Sequence, residues 1–220
     1  MISNRLKWAL PLVLAALVAV PAHAQSVLNT GQPTGGVLNA DSIDSVDWVA
    51  ESFTLGSTTT IGSILAYVNS TAATDNGLSF TVALYGSRGP AGALVPNINF
   101  QATNQGQLDQ FTATYSTGGG WIGQSGLNWT LGAGTYFVAI ETDGNGVQGL
   151  VLSTGGLTTL PSSVALYSGG AGYATDPAIS TDAFGLQVIA AAVPEPSSVV
   201  LLMMGLGAVG FALARRRGGV

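Results

Sequence analysis

Between residues 25 and 193, few side chains can do acid–base or nucleophilic chemistry, and their types narrow what that chemistry could be. This stretch holds ten acids, one base (Arg88), and no lysine, histidine or cysteine. A serine hydrolase needs an imidazole or an amine to take the serine proton, and neither is present. Gly123-Gln124-Ser125-Gly126 approaches a nucleophile elbow, but position 127 is Leu where a second glycine is required. Without thiols there is no thiolate nucleophile, zinc–thiolate site or disulfide framework. Paired carboxylates remain, because glycoside hydrolysis needs only two acids at a set separation. Glu51 and Glu141 are the two glutamates of the stretch. Both fall in segments expected to be strands, where acids commonly face solvent, and nothing in their spacing selects them.

Oxygen-rich loops suit a hard cation. Glu141-Thr142-Asp143-Gly144-Asn145-Gly146 places oxygen side chains at alternate positions with glycine sixth, as a calcium loop begins. Position twelve is Leu152 instead of a bidentate glutamate, and Asp143-Gly144 and Asn145-Gly146 are tight-turn signals in their own right. A turn is therefore the leading reading. Calcium held by Glu141, Asp143 and Asn145 is the alternative, and no other cofactor is expected. Asp41, Asp44 and Asp47 read as a solvated edge that discourages strand pairing.

Carbohydrate binding uses flat aromatic faces beside amide and carboxylate groups. Trp121, Trp129, Tyr115, Tyr167 and Tyr173 supply rings in a context rich in Gly, Asn and Gln. Trp121 is the leading candidate, since Gly118-Gly119-Gly120 would loop around it. Trp48 and Trp129 stand in apolar alternating runs and read as core. Asn69-Ser70-Thr71 and Asn128-Trp129-Thr130 match a glycosylation pattern too short to carry weight.

Residues 25–193 have a net charge of −9 from one base against ten acids, which gives nucleic acid no electrostatic footprint. The elements that must position any site are strands. Leu78, Phe80, Val82 and Leu84 share one face of an alternating run, as do Tyr136, Val138 and Ile140. Ala183 to Val188 alternates likewise. Further strands are expected at 48–55, 60–68, 94–101, 108–115, 127–131, 147–153 and 163–167, separated by Gly, Asn, Asp or Ser. The stretch before about Val46 reads as an irregular arm or a first edge strand. No helical period runs through this region. The expectation is an all-β fold, an antiparallel two-sheet sandwich of jelly-roll type over 25–193.

The two ends differ from this body. Residues 1–24 have the layout of a secretory signal peptide: Arg5 and Lys7, an apolar run from Trp8 to Val20, Pro21, then Ala22-His23-Ala24. Signal peptidase would cut between Ala24 and Gln25. Residues 194–220 carry Pro194-Glu195-Pro196, an apolar run expected to form a transmembrane helix over 197–214, and Arg215-Arg216-Arg217. The sixteen uncharged residues Val199 to Ala214 make about 24 Å of helix, just enough to span a bilayer with snorkelling. The arginines would hold the last residues on the cytoplasmic side, with the body outside the inner membrane. Gly205-x-Gly207-x-x-Gly210 mimics a dinucleotide fingerprint, but no strand precedes it and no acid follows. Small residues there read as a helix-packing face.

Pro-Glu-Pro, the single span and the terminal arginines together resemble the PEP-CTERM sorting signal of Gram-negative bacteria. The resemblance implies that an exosortase, a membrane-embedded cysteine protease, cuts near Pro194, Glu195 and Pro196. It also implies release or transfer to the surface, in company with exopolysaccharide or biofilm matrix. The prolines favour an extended segment that a protease can accept. The body loosely resembles the extracellular β-sandwich domains that precede such anchors, through Glu51-Ser52-Phe53-Thr54-Leu55, Val82-Ala83-Leu84-Tyr85-Gly86 and Trp129-Thr130-Leu131-Gly132-Ala133-Gly134-Thr135-Tyr136. The reading is a non-enzymatic, exported surface or matrix protein, structural or polysaccharide-associated. A glycan hydrolase with paired carboxylates and a calcium-dependent adhesive module are the alternatives.

Overall fold

The computed structural model describes residues 24–34, 43, 47–70, 75–99, 101, 105–116, 118–142, 150–152, 156–168, 172–178, 182–192 and 203–210. Residues 25–191 form one compact unit.

In this unit the described residues form twelve strands. They are β1 (Ser26–Asn29), β2 (Asp47–Leu55), β3 (Thr59–Ser70), β4 (Ser79–Arg88), β5 (Val95–Pro96) and β6 (Asp109–Thr114), followed by β7 (Gly120–Leu131), β8 (Gly134–Thr142), β9 (Leu150–Leu152), β10 (Val164–Ser168), β11 (Tyr173–Asp176) and β12 (Leu186–Ala190). A five-stranded sheet runs β1-β12-β3-β7, with β9 also on β3. A seven-stranded sheet runs β11-β10-β2-β8-β4-β5, with β6 also on β4. Every pairing is antiparallel.

The pairs β1·β12, β2·β8, β3·β7 and β4·β6 nest inside one another along the chain and alternate between the two sheets. That is the connectivity of a jelly roll, with the β10–β11 hairpin added beyond β2.

Alternation assigns the faces. Val49, Phe53 and Leu55 of β2, Ile64, Ala66 and Val68 of β3, Phe80, Val82 and Leu84 of β4, and Val138 and Ile140 of β8 fill one buried cluster between the sheets. A second cluster covers the opposite face of the seven-stranded sheet and includes Ala83, Tyr85, Phe137, Ala139 and Ile98.

Several expectations need correction. The 94–101 strand shrinks to Val95–Pro96. After it the backbone turns, with Asn97 N–H donating to Gly86 O and Asn99 N–H to Gln105 O. β7 begins at Gly120, well before the expected 127, because β3 supplies pairing to a glycine-rich segment of low strand propensity. β11 was not legible as a strand, and the ambiguous arm contains β1 at a sheet edge.

Within the expected transmembrane segment, 203–210 is helical and exposes Met203, Met204, Leu206 and Val209. No helix among the described residues is long and apolar enough to cross a membrane.

Candidate functional site

Glu51 and Glu141 are both buried, contrary to the solvent-facing expectation. Glu51 shares its face of β2 with Val49 and Phe53 and so points between the sheets. Its Oε1 accepts the backbone N–H of Phe184, just ahead of β12, while Oε2 has no hydrogen-bond partner among the described residues. Thr30 reinforces this junction, donating from Oγ1 to Phe184 O at 2.9 Å and accepting Leu186 N–H at 2.6 Å. Burial pushes the Glu51 carboxyl well above its usual range, against the opposing pull of the Phe184 N–H. A protonated carboxyl satisfies the site better than a bare charge would.

Glu141 lies on the other face of the same sheet. In the β2–β8 register Glu51 pairs with Val138, and Val138 and Glu141 are three apart, so their side chains leave on opposite sides. The two carboxyls are therefore divided by the sheet and cannot flank one glycosidic bond. The paired-carboxylate constellation is not formed by these two residues.

The surroundings of Glu141 are organised by a row of alanines. Ala165, Ala50, Ala139 and Ala83 stand side by side across β10, β2, β8 and β4 and are fully buried. Their small side chains leave depth for the Tyr85, Tyr167 and Tyr173 rings. Tyr85 OH donates to Glu141 Oε1 at 2.9 Å and Tyr173 OH to the same oxygen at 3.1 Å. Gln107 Nε2 donates to Oε2 at 3.3 Å. Burial raises the Glu141 pKa, and the three donors pull the other way. Burial first, and then the Glu141 charge, push the Tyr85 and Tyr173 phenols upward. This is a closed acid–phenol centre, and its carboxyl oxygens are already engaged.

That engagement bears on calcium. Asp143 and Asn145 lie outside the described residues, and Glu141 is turned inward onto tyrosines. Among the described residues no three His, Cys, Asp or Glu side chains converge. Of the Asp41, Asp44 and Asp47 trio, Asp47 opens β2 opposite Ser168, and the other two lie outside the described residues.

The aromatic candidates sort by exposure. Tyr115, Tyr167 and Tyr173 are buried, which removes them as open sugar platforms. Trp129 is half-buried against the core and tilted on Phe111, and Trp48 stacks on Tyr167 at 4.3 Å. Trp121 differs. It stands on strand β7 instead of in a loop, and Gly118 and Gly119 lead into the strand, which opens at Gly120, all three glycines at positive φ.

Trp121 pairs with Tyr67 across β3 and faces away from the core, half-exposed. The rings meet edge to face, with centroids 5.5 Å apart and planes at 82°. Gln32 Nε2 donates to Tyr67 OH at 3.2 Å. Tyr67 and Gln32 were missed in sequence; the signal available was the shared face of Leu65 and Tyr67 in β3.

At the termini, Ala24 and Gln25 are exposed, and Gln25 O accepts the Ala190 N–H at 2.8 Å. Pro194, Glu195, Pro196, Arg215, Arg216 and Arg217 lie outside the described residues. Residues 192–217 match the model of the PEP-CTERM protein-sorting motif. The chain thus carries that motif near its C-terminus, and the match supports an exported, exosortase-processed protein with a β-rich body. No curated protein matches the chain.

Proposed function

We propose that this is an exported surface or matrix protein, processed at both ends, whose β-sandwich body acts without catalysis and associates with extracellular polysaccharide. The observation that carries the reading is the sorting motif at 192–217, set behind a body of two packed antiparallel sheets. Signal peptidase removes residues 1–24. The 197–214 segment holds the chain in the inner membrane with the body on the periplasmic side, and Arg215, Arg216 and Arg217 retain the tail in the cytoplasm. Exosortase then acts near Pro194-Glu195-Pro196, and the body passes to the surface or the medium.

The non-enzymatic part draws support from the placement of Glu51 and Glu141 on opposite faces of one sheet. The same burial of Glu141 among Tyr85, Tyr173 and Gln107 weighs against a calcium module built on it.

The test is the intact mass of the exported protein from a host with and without its exosortase. The expected product begins at Gln25 and ends near Pro196, and it disappears without the exosortase. Replacing Pro194, Glu195 and Pro196 together by alanine should leave the full C-terminal segment attached. An exported wild-type protein that still carries residues 197–220 refutes the processing.

A further inference from the structure

Among the described residues, the segment 31–33 lies against the outer face of the five-stranded sheet beside Gly185 and Tyr67, and the side chains on the rest of that face are not those of a plain solvated sheet. The register sets Asn29, Gln187, Leu65 and Gly123 side by side across β1, β12, β3 and β7. The neighbouring row holds Tyr67 and Trp121. Leu65, Tyr67, Trp121 and Gln187 are half-buried, Gly123 is exposed, and none belongs to either core cluster.

We propose that this face binds a neutral polysaccharide, with Trp121 and Tyr67 as its aromatic corner and the Leu65–Gly123 row as its floor. The proposal deepens the polysaccharide-associated reading and rests on it.

Three features select the ligand. First, two rings at 82° form a corner, so one ring can meet the C–H face of a pyranose while the other bounds its edge. The negative ring face attracts those polarised hydrogens as it attracts other positive edges. Tyr67 OH already accepts from Gln32, which leaves its own proton to donate to a sugar hydroxyl. Asn29 and Gln187 place amides along the neighbouring row.

Second, the floor is open at its β7 end, because a side chain is sterically excluded at Gly123. A Cβ on Gly123 would lie 2.0 Å from Ile64 O. Four strands at the usual spacing make a shelf about 14 Å wide, suited to several consecutive sugar rings.

Third, charge excludes an acidic polymer. Residues 25–193 contain one base, Arg88, and it lies on β4 of the other sheet. Nothing on this face can neutralise a carboxylate or sulfate, and a body at −9 repels a polyanion.

The test uses the full chain in detergent, titrated with dextran and laminarin as neutral polymers and alginate as an acidic one. Affinity electrophoresis and tryptophan fluorescence read binding, and circular dichroism with thermal melting confirms the fold. Binding to a neutral glucan and none to alginate is expected. Trp121→Ala should weaken binding about tenfold or more, and Tyr67→Phe and the exposed Gln32→Ala several-fold each. Should Trp121→Ala fail to fold, the other two variants decide.

Folded variants that bind like wild type overturn the site while leaving polysaccharide association standing. Binding to alginate alone overturns the neutral class. No binding to any of the three polymers overturns this assignment and the polysaccharide part of the reading together. Exosortase processing is measured separately by mass and is untouched by that result.

Discussion

The Tyr85 phenol donates to Glu141 Oε1 at 2.9 Å, although the residue paired with Glu141 in the β4–β8 register is Thr81. Tyr85 therefore reaches four residues along its own strand to meet the carboxyl. It can do so because Ala83 and Ala139, a directly opposed pair, occupy the ground between with nothing larger than a methyl group. One hydrogen bond thus depends on two alanines that take no part in it.

Burial of Glu141 and Glu51 makes stability depend on pH. Both pKa values rise above the ordinary 4.5 on folding, so the folded state holds protons that the unfolded chain releases. The stabilising contribution is complete below about pH 4.5 and is lost as pH rises toward each folded-state value. Urea titrations across pH 4 to 9 should therefore show wild type losing stability more steeply than Glu51→Gln or Glu141→Gln. Parallel profiles for wild type and both variants would mean that these carboxyls ionise freely in the folded protein.

The alanine row gives a packing prediction. Ala139→Leu inserts three heavy atoms beneath the Tyr85 and Tyr173 rings, where overpacking costs about 1–3 kcal/mol. It should also break the Tyr85–Glu141 bond and bring the phenol closer to ordinary titration, visible in the ultraviolet absorbance of tyrosinate. A variant as stable as wild type would show that the rings have room to spare.

Gly123→Ala tests the close approach of β7 to β3. The glycine is needed for space, since the new methyl would meet Ile64 O and the Leu65 backbone. Strand β7 must move outward, and a loss of about 1–3 kcal/mol is expected. Faster hydrogen exchange should be confined to β3 and β7. Unchanged exchange in these strands would refute the tight contact.

Calcium should not raise the melting temperature. For Glu141 to ligate a cation it must give up two phenol donors and the Gln107 amide, then ionise in a buried place. Melting in millimolar calcium against EDTA decides the matter. A rise of several degrees, abolished by Asp143→Ala, would restore the calcium module.

Mass spectrometry of the exported protein should place its first residue at Gln25, the residue at which the compact β unit begins. A start several residues downstream would remove Gln25 O, the acceptor of the Ala190 N–H, and with it the support for that end of the five-stranded sheet.

Period-2 alternation made most strands and the inner core readable from sequence. The same parity that sends Val49, Phe53 and Leu55 inward also sends Glu51 inward, and hydropathy argued against it. Glu51 is buried because its place in the alternation, and not its residue type, sets the side on which it leaves the strand. The sorting motif was legible for a different reason. Pro-Glu-Pro, an apolar run and three arginines act as a linear segment, so composition and order carry the whole message.

Tertiary structure alone decided what depends on register between distant strands. Ala50, Ala83, Ala139 and Ala165 are unremarkable in four separate segments and become a floor only when those strands align. Trp121 and Tyr67, 54 positions apart, meet for the same reason. Alternation tells which way each side chain leaves its own strand. Which neighbours it finds there is set by long-range pairing, and that information is spread over the whole chain.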